Sequence, residues 1–336
     1  MNDNTLLTIG IPTYNGGCYI EQTINSIFTE IKKNNLVNVE ILISDNCSND
    51  NTSKIIEELK INSTLEFNYY QHKNNLGFDR NVDSVVRMSK GKYVWIMADD
   101  DYVVNDGIKK VLDFLNKHEL ALLFLNYDNP ITISDRTLVC ENGNDFFRNT
   151  KFKSGQISSN VINKELWCSL DMERYFDSQW IHLAYAVEAL SPLRNKKAGI
   201  IGDKILIADG ITRWGGGGSF IYTGFKLLDI FKNMPGLHYD KDIKKIADFV
   251  IKDGYPYYLL IAKAQGLVID KKLIEKFKYY YSDYLSFWIV DLPVLYLPNS
   301  LCVFIFKYAY MAKKFIKSIR NTHKNNKRLN LEQHAL

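Results

Sequence analysis

Short apolar runs alternate with helix-periodic segments through about the first 127 residues, and this alternation constrains the fold more than any other feature. The runs LLTIGIPTY, VEILIS, LEFNYYQ, KYVWIM and LALLFLNY are rich in β-branched and aromatic residues and end in turn chemistry, as buried strands do. Between them, apolar residues recur at helical spacing: Ile20, Ile24, Ile27, Phe28 and Ile31; Ile55, Ile56 and Leu59; Val82, Val85, Val86 and Met88; Ile108, Val111, Leu112 and Leu115. Gly91 offers a stop for the third helix, and Asn105 or Asp106 a cap for the fourth. The pattern predicts an α/β fold, a doubly wound, Rossmann-like, mostly parallel sheet. Ligands of such sheets bind beyond the carboxyl ends of the strands.

Tyr14, Asp45 and the run Asp99–Asp101 each follow the carboxyl end of a different predicted strand. They are therefore expected to meet at one sheet edge. Three adjacent carboxylates repel one another unless water, a cation or a proton relieves them. Alone, the run reads as a solvated turn before the next helix; the expected convergence makes it a candidate site. Carboxylates are hard oxygen ligands, suited to Mg²⁺ or Mn²⁺. An ion held by one or two of them binds a diphosphate and stabilises it as a leaving group. No GxxxxGK[ST] is present, and GIPTYNGG has the wrong spacing for a dinucleotide fingerprint. A nucleotide held through a metal ion fits better than one held by a P-loop.

Composition narrows the class. Hydrophobic residues make up 46% and charged residues 24%, enough to bury a sizeable core. The net charge of +4 is uneven: eight Lys/Arg and no acid lie between Lys307 and Arg328, leaving the rest slightly acidic. A basic tail is indicated, and no nucleic-acid-binding body. The five scattered cysteines have no metal spacing, which suits reduced thiols in a cytosolic protein. No basic segment and apolar stretch precede the first strand, so no signal peptide is expected.

LTIGIPTYNGGCYIEQTINSI, ILISDNCSNDNT and NNLGFDRNVDSVVRMSKGKYVWIMADDDYV, in that order, resemble the successive motifs of family 2 glycosyltransferases, which have the glycosyltransferase A fold. The ISDN and DDD variants resemble especially the abequosyltransferase-like branch of O-antigen and capsule assembly. The resemblance implies transfer of a sugar from a nucleoside diphosphate sugar to a glycan or lipid-linked glycan, inverting, with Mn²⁺ or Mg²⁺. It sets Pro12, Thr13 and Tyr14 where the family holds the nucleotide base, and Asp45 where a carboxylate accepts from a pyrimidine N–H. Arg80 and Asn81 match the RN that lines the donor pocket. Ala98 replaces the first acid of the family's DxD, leaving Asp100 at the metal position with Asp101 beside it, and Asp99 near the donor ribose or sugar. The resemblance also implies a base for the acceptor hydroxyl. The family's ED dipeptide is absent, but LDMERYFDSQWIHLAYAVEAL offers Asp171, Glu173, Asp177 and His182, with Asp177 favoured because it precedes an aromatic, apolar helix. In ADGITRWGGGGSF, Arg213 is placed to reach the diphosphate from a closing loop.

A catalytic domain over residues 1–220 is expected, its nucleotide half ending near 130 and its acceptor half spanning 131–220. A helical region, 221–336, follows. From Tyr284 the sequence turns apolar, but Asp291, Pro293, Pro298 and Asn299 interrupt it before any clean spanning length. A surface-lying or re-entrant element is expected, with Lys307, Lys313, Lys314, Lys317 and Arg320 meeting anionic headgroups. Lipid-linked acceptors would place the protein on the inner face of the cytoplasmic membrane. Two other readings stay open: a nucleotidyltransferase, disfavoured by a first loop without a cation, and a non-catalytic assembly protein that kept the fold.

Overall fold

The computed structural model describes residues 5–63, 66–127, 137–208, 219–305 and 307–308. The chain divides into two compact units, residues 1–212 with 226–250 and residues 213–225 with 251–336. A single boundary near residue 220 is thus replaced by an exchange, in which 226–250 belongs with the first unit.

The strands of the first unit are β1 (Leu7–Thr13), β2 (Val39–Asp45), β3 (Asn68–Gln71), β4 (Tyr93–Ile96), β5 (Tyr102–Val103), β6 (Leu122–Asn126), β7 (Leu138–Cys140), β8 (Asn160–Asn163), β9 (Ala198–Lys204) and β10 (Leu206–Ile207). Eight form one sheet in the order β3-β2-β1-β4-β8-β6-β9-β7, and β5 pairs with β10 separately. The neighbours from β3 to β4 are parallel, as is β6 with β9. β8 runs antiparallel to both β4 and β6, and β7 antiparallel to β9. The sheet is therefore mixed beyond β4. Every residue of β1, β4 and β6 is buried, as expected of strands covered on both faces.

Helices α1 (Ile20–Asn34), α2 (Thr52–Asn62), α3 (Phe78–Met88) and α4 (Gly107–Leu115) follow β1, β2, β3 and β5. The spacing that predicts α1 marks its buried face: Ile20, Ile24, Ile27, Phe28 and Ile31 all enter the core, each aliphatic contributing about 1.5–3 kcal/mol on burial. Two terminal expectations are corrected. α3 ends at Met88, and Gly91 serves packing instead: a Cβ there would lie 2.5 Å from the Thr8 backbone nitrogen. Asp106 occupies the N-cap position of α4, but its side chain makes no cap bond and pairs with Lys33 at 3.0 Å.

Further along come α5 (Gly143–Thr150), α6 (Lys164–Ser169), α7 (Ile181–Ala189), α8 (Ser219–Asn233), α9 (Lys241–Ala264), α10 (Lys271–Tyr281) and α11 (Leu292–Tyr296). In the second unit Asp270 caps α10 by accepting from Leu273 N at 2.7 Å, and Phe225 stacks on Tyr280. A π-helical turn, Phe287–Asp291, runs into α11. Among the described residues no single helix is long and apolar enough to cross a membrane. The segments Phe287–Tyr296 and Asn299–Ile305 pass that test only as a pair bent by 117°.

Candidate functional site

The carboxyl ends of β1 and β2 are stitched together by side chains. Thr13 lies opposite Asp45 in the parallel register, and Pro12 opposite Ser44. Asn81, buried on α3, donates to Ser44 O at 3.1 Å and to Thr13 O at 3.4 Å, and accepts from Ser44 Oγ at 2.7 Å. The loops that follow are zipped by Asn15 N to Ser48 Oγ, Asn49 N to Asn15 Oδ1, and Gly17 N to Asp50 Oδ2. Pro12 and Thr13 are buried, whereas Tyr14 is 43% exposed at the edge. Of the three, Tyr14 is the one whose side chain is open to solvent.

Asp45 is fully buried, and its two oxygens receive four donors. Oδ1 accepts from Ser48 N at 2.8 Å and Ser48 Oγ at 2.5 Å; Oδ2 accepts from Tyr69 OH at 2.9 Å and Gln71 Nε2 at 3.0 Å. Four donors fill the lone-pair directions of a carboxylate. In this geometry Asp45 fixes β3 and the Ser48 turn; the resemblance has it accept from a pyrimidine N–H. Burial and the bond to Asp45 together push the Tyr69 phenol up, so it remains a donor.

The aspartate run leaves β4 and divides its work. Asp99 is buried and accepts from Thr13 Oγ1 at 2.5 Å, while its carbonyl accepts from Thr23 Oγ1 at 2.9 Å. Gly16 makes room for it: a Cβ there would stand 2.3 Å from Asp99 Oδ2. Asp101 is also buried, with Oδ2 accepting from Ser158 Oγ and from Gln156 Nε2 at 3.1 Å. Asp100 is half-buried between them. No group of three or more His, Cys, Asp or Glu able to hold a metal occurs among the described residues. An ion here would be bound through one or two carboxylates of the run, Asp100 foremost as the least buried of the three, with phosphate and water supplying the remaining ligands, as suits Mg²⁺ or Mn²⁺.

α3 ties this edge to the segment before α7. Arg80 donates to both oxygens of Asp177, at 2.7 and 3.3 Å, and its guanidinium lies 4.7 Å from the Phe176 ring centroid. Asp79, buried at 2% exposure, accepts from Gln179 N at 2.7 Å and Ile181 N at 3.2 Å. It thereby satisfies the first N–H of α7, and one N–H of the turn before it, from another helix. Burial raises the Asp79 carboxyl, and the two N–H groups pull it partly back. Asp177 and Gln179 both adopt left-handed backbone, φ 66° and 64°, a bend held by these two side chains of α3.

Of the other proposed bases, Asp171 and Glu173 are exposed. His182 is not: it is buried in α7 with Nε2 on Gly155 O at 2.9 Å and Nδ1 unpartnered. Burial holds its imidazole down at about 4. The ring is enclosed beside Phe78 at the start of α3, with ring centroids 6.2 Å apart, and is not itself presented to solvent. Arg213 lies outside the described residues. Sequence reasoning missed Asp79, whose only local signal is an acid in the first turn of a helix, and missed the joint between Thr13 and Asp99.

Residues 8–163 match the family model described as glycosyl transferase family 2. The chain is 29% identical over 199 residues to the abequosyltransferase RfbV of Salmonella typhimurium, covering 54% of this chain and 58% of that protein. It is 24% identical over 289 residues to the GalNAc(5)-diNAcBac-PP-undecaprenol beta-1,3-glucosyltransferase of Campylobacter jejuni, covering 76% of this chain and 84% of that one. The chain spans 58%, 41% and 48% of the length of the first three curated relatives it matches. The solved mannosyltransferase PcManGT from Pyrobaculum calidifontis, in complex with GDP-Man and Mn²⁺, superposes with a TM-score of 0.54 at 16% identity, covering 90% of this chain and 84% of that one.

Proposed function

We propose that the protein transfers a sugar from a nucleoside diphosphate donor to a glycan hydroxyl, a reading supported by the match of residues 8–163 to the family 2 glycosyl transferase model and by a fold shared with a solved glycosyltransferase. The observation that carries the reading is the meeting of Thr13, Asp45 and Asp99 at one sheet edge, closed by the Thr13–Asp99 hydrogen bond. Tyr14, exposed there, is the surface for the base, and Asp45 and Asn81 keep its backing rigid. Asp100, flanked by Asp99 and Asp101, would hold Mn²⁺ or Mg²⁺, which when bound supplies positive charge to a diphosphate leaving group. A solved mannosyltransferase of the same fold holds GDP-Man together with Mn²⁺, the kind of pairing this reading proposes.

Asp177 is the base in this reading. It takes the proton of the acceptor hydroxyl as that oxygen bonds to the anomeric carbon and the bond from that carbon to the diphosphate oxygen breaks, inverting the centre. Arg80 orients Asp177 through both oxygens and keeps it ionised.

The acceptor is proposed to be a lipid-linked glycan of bacterial surface polysaccharide assembly, met at the inner face of the cytoplasmic membrane. The undecaprenol in the name of the Campylobacter relative supports this. So does the apolar surface of the second unit, where Trp288, Ile289, Tyr296, Val303 and Phe304 are exposed along the bent pair and Leu285 just before it. A sequence run of lysines and arginines follows directly; from Lys313 onward it lies outside the described residues. Such a surface inserts at a headgroup boundary, with cations adding salt-sensitive attraction.

A thermal-shift screen of nucleoside diphosphates, triphosphates and nucleotide sugars with Mn²⁺ tests the reading. Stabilisation by UDP, GDP or CDP species is expected. Preference for triphosphates would indicate nucleotidyl transfer, and indifference to every nucleotide would indicate a non-catalytic assembly protein.

A further inference from the structure

We infer that Ser158 is a positioning residue for Asp100: its hydroxyl fixes the turn that carries the aspartate run, and so sets where the Asp100 carboxylate stands. This rests on the reading of Asp100 as the metal-holding residue, and deepens it by naming what holds that residue in place.

Strand register brings Ser158 to the run. β8 pairs antiparallel with β4, with Trp95 opposite Val161 and Ile96 opposite Asn160. Continued past the end of β4, the same register sets Ala98 opposite Ser158. The contact is made there, Ala98 N donating to Ser158 Oγ at 2.8 Å. Trp95 Nε1 donates to Ser158 O at 2.7 Å and fixes the backbone of this fully buried serine.

The hydroxyl works in both directions, as a group that can donate and accept is able to do. It accepts from Ala98 N and donates to Asp101 Oδ2, and Gln156 Nε2 gives that oxygen a further donor at 3.1 Å. Ala98 and Asp101 are the first and last residues of the turn. The backbone bond that closes it, Asp101 N to Ala98 O, is long at 3.4 Å, and the serine hydroxyl is a second tie between the same two residues. Asp99 is held from β1 and α1, by Thr13 Oγ1 on its carboxylate and Thr23 Oγ1 on its carbonyl. Ala98, Asp99 and Asp101 are thereby each tied to another segment, and the direction of Asp100, the third residue of the turn, follows from theirs. Partners that orient a metal ligand without touching the metal set its affinity in this way.

The test titrates UDP and GDP calorimetrically into the full chain, wild type and Ser158→Ala, with and without Mn²⁺. Amide exchange of the metal-free proteins is followed in parallel over the peptide spanning residues 97–102. In Ser158→Ala the Mn²⁺-dependent gain in nucleotide affinity should fall by about tenfold, with the metal-free affinity unchanged. Exchange should quicken over 97–102 while β1 stays protected. A gain equal to that of the wild type overturns the proposal. A metal-free affinity that falls together with the gain also overturns it, by making Ser158 a general support of the fold. If Ser158→Ala does not fold, Gln156→Ala, which removes the other donor to the same Asp101 oxygen, is read in its place: a gain reduced about threefold is expected, and the same outcomes decide. A wild type without any Mn²⁺-dependent gain counts against the metal reading alone. Quicker exchange over 97–102 in Ser158→Ala then upholds the hold on the turn, and unchanged exchange overturns it.

Discussion

Arg80 and Asp177, 97 positions apart, form a two-point ion pair that joins α3 to the segment entering α7. The pair sets a residue matched to donor binding against the residue assigned as base. It therefore makes the protonation of the base depend on a side chain from the other half of the domain.

Hydrogen bonding from Arg80 holds the Asp177 carboxyl below the usual carboxylate range. As a base, Asp177 works ionised, so the acid limb of the transfer rate should fall at a pH below that of an ordinary carboxylate. Arg80→Ala returns the carboxyl toward its usual range and should move that limb to higher pH. Asp177→Asn should abolish transfer and leave nucleoside diphosphate binding intact. Transfer retained in Asp177→Asn would point to Glu173 or Asp171 instead.

Asp45→Ala removes the acceptor of four hydrogen bonds in a fully buried position. A loss of about 3 kcal/mol is expected, lowering Tm by roughly 5–10 °C. Nucleotide affinity should weaken with or without Mn²⁺, because the backing of the base pocket loosens. An unchanged melting curve would contradict this role for Asp45.

His182 gives a pH signature of stability. Its folded-state value of about 4 lies below the ordinary 6.5, so between these values the unfolded chain binds a proton that the folded chain does not. Stability from this group is complete above pH 6.5 and declines as the pH falls toward 4. Its share of that decline is on the order of 3 kcal/mol. His182→Gln should flatten urea-unfolding stability between neutral and mildly acidic pH. An equal slope in both proteins would show that other groups carry the acid sensitivity.

Strands β1, β2 and β4, and the edge they present, were legible because each is a largely apolar run buried over most or all of its length, and the mostly exposed β3 was legible through its aromatic pair Tyr69 and Tyr70. β8 was not, since Asn160–Asn163 holds two apolar residues between two asparagines and is defined by its antiparallel partners β4 and β6. The same limit hid Asp79: its partners are backbone groups at Gln179 and Ile181, and nothing near residue 79 announces them. Conversely, the aspartate run was conspicuous, but its division of labour was not. Thr13 and Ser158 claim Asp99 and Asp101 through bonds spanning 86 and 57 positions. Side chains that act on distant backbone leave no periodic trace.

The most direct measurement is calorimetric titration of UDP and GDP into the wild-type chain and Asp100→Asn, each with and without Mn²⁺. A nucleoside diphosphate should bind the wild type with Mn²⁺ at least about tenfold more tightly than without it, and that gain should disappear in Asp100→Asn. Turnover of the same variant should fall by about a hundredfold or more. Equal Mn²⁺-dependent affinity in the two proteins would contradict the placement of the diphosphate at the end of β4, and with it the proposed site.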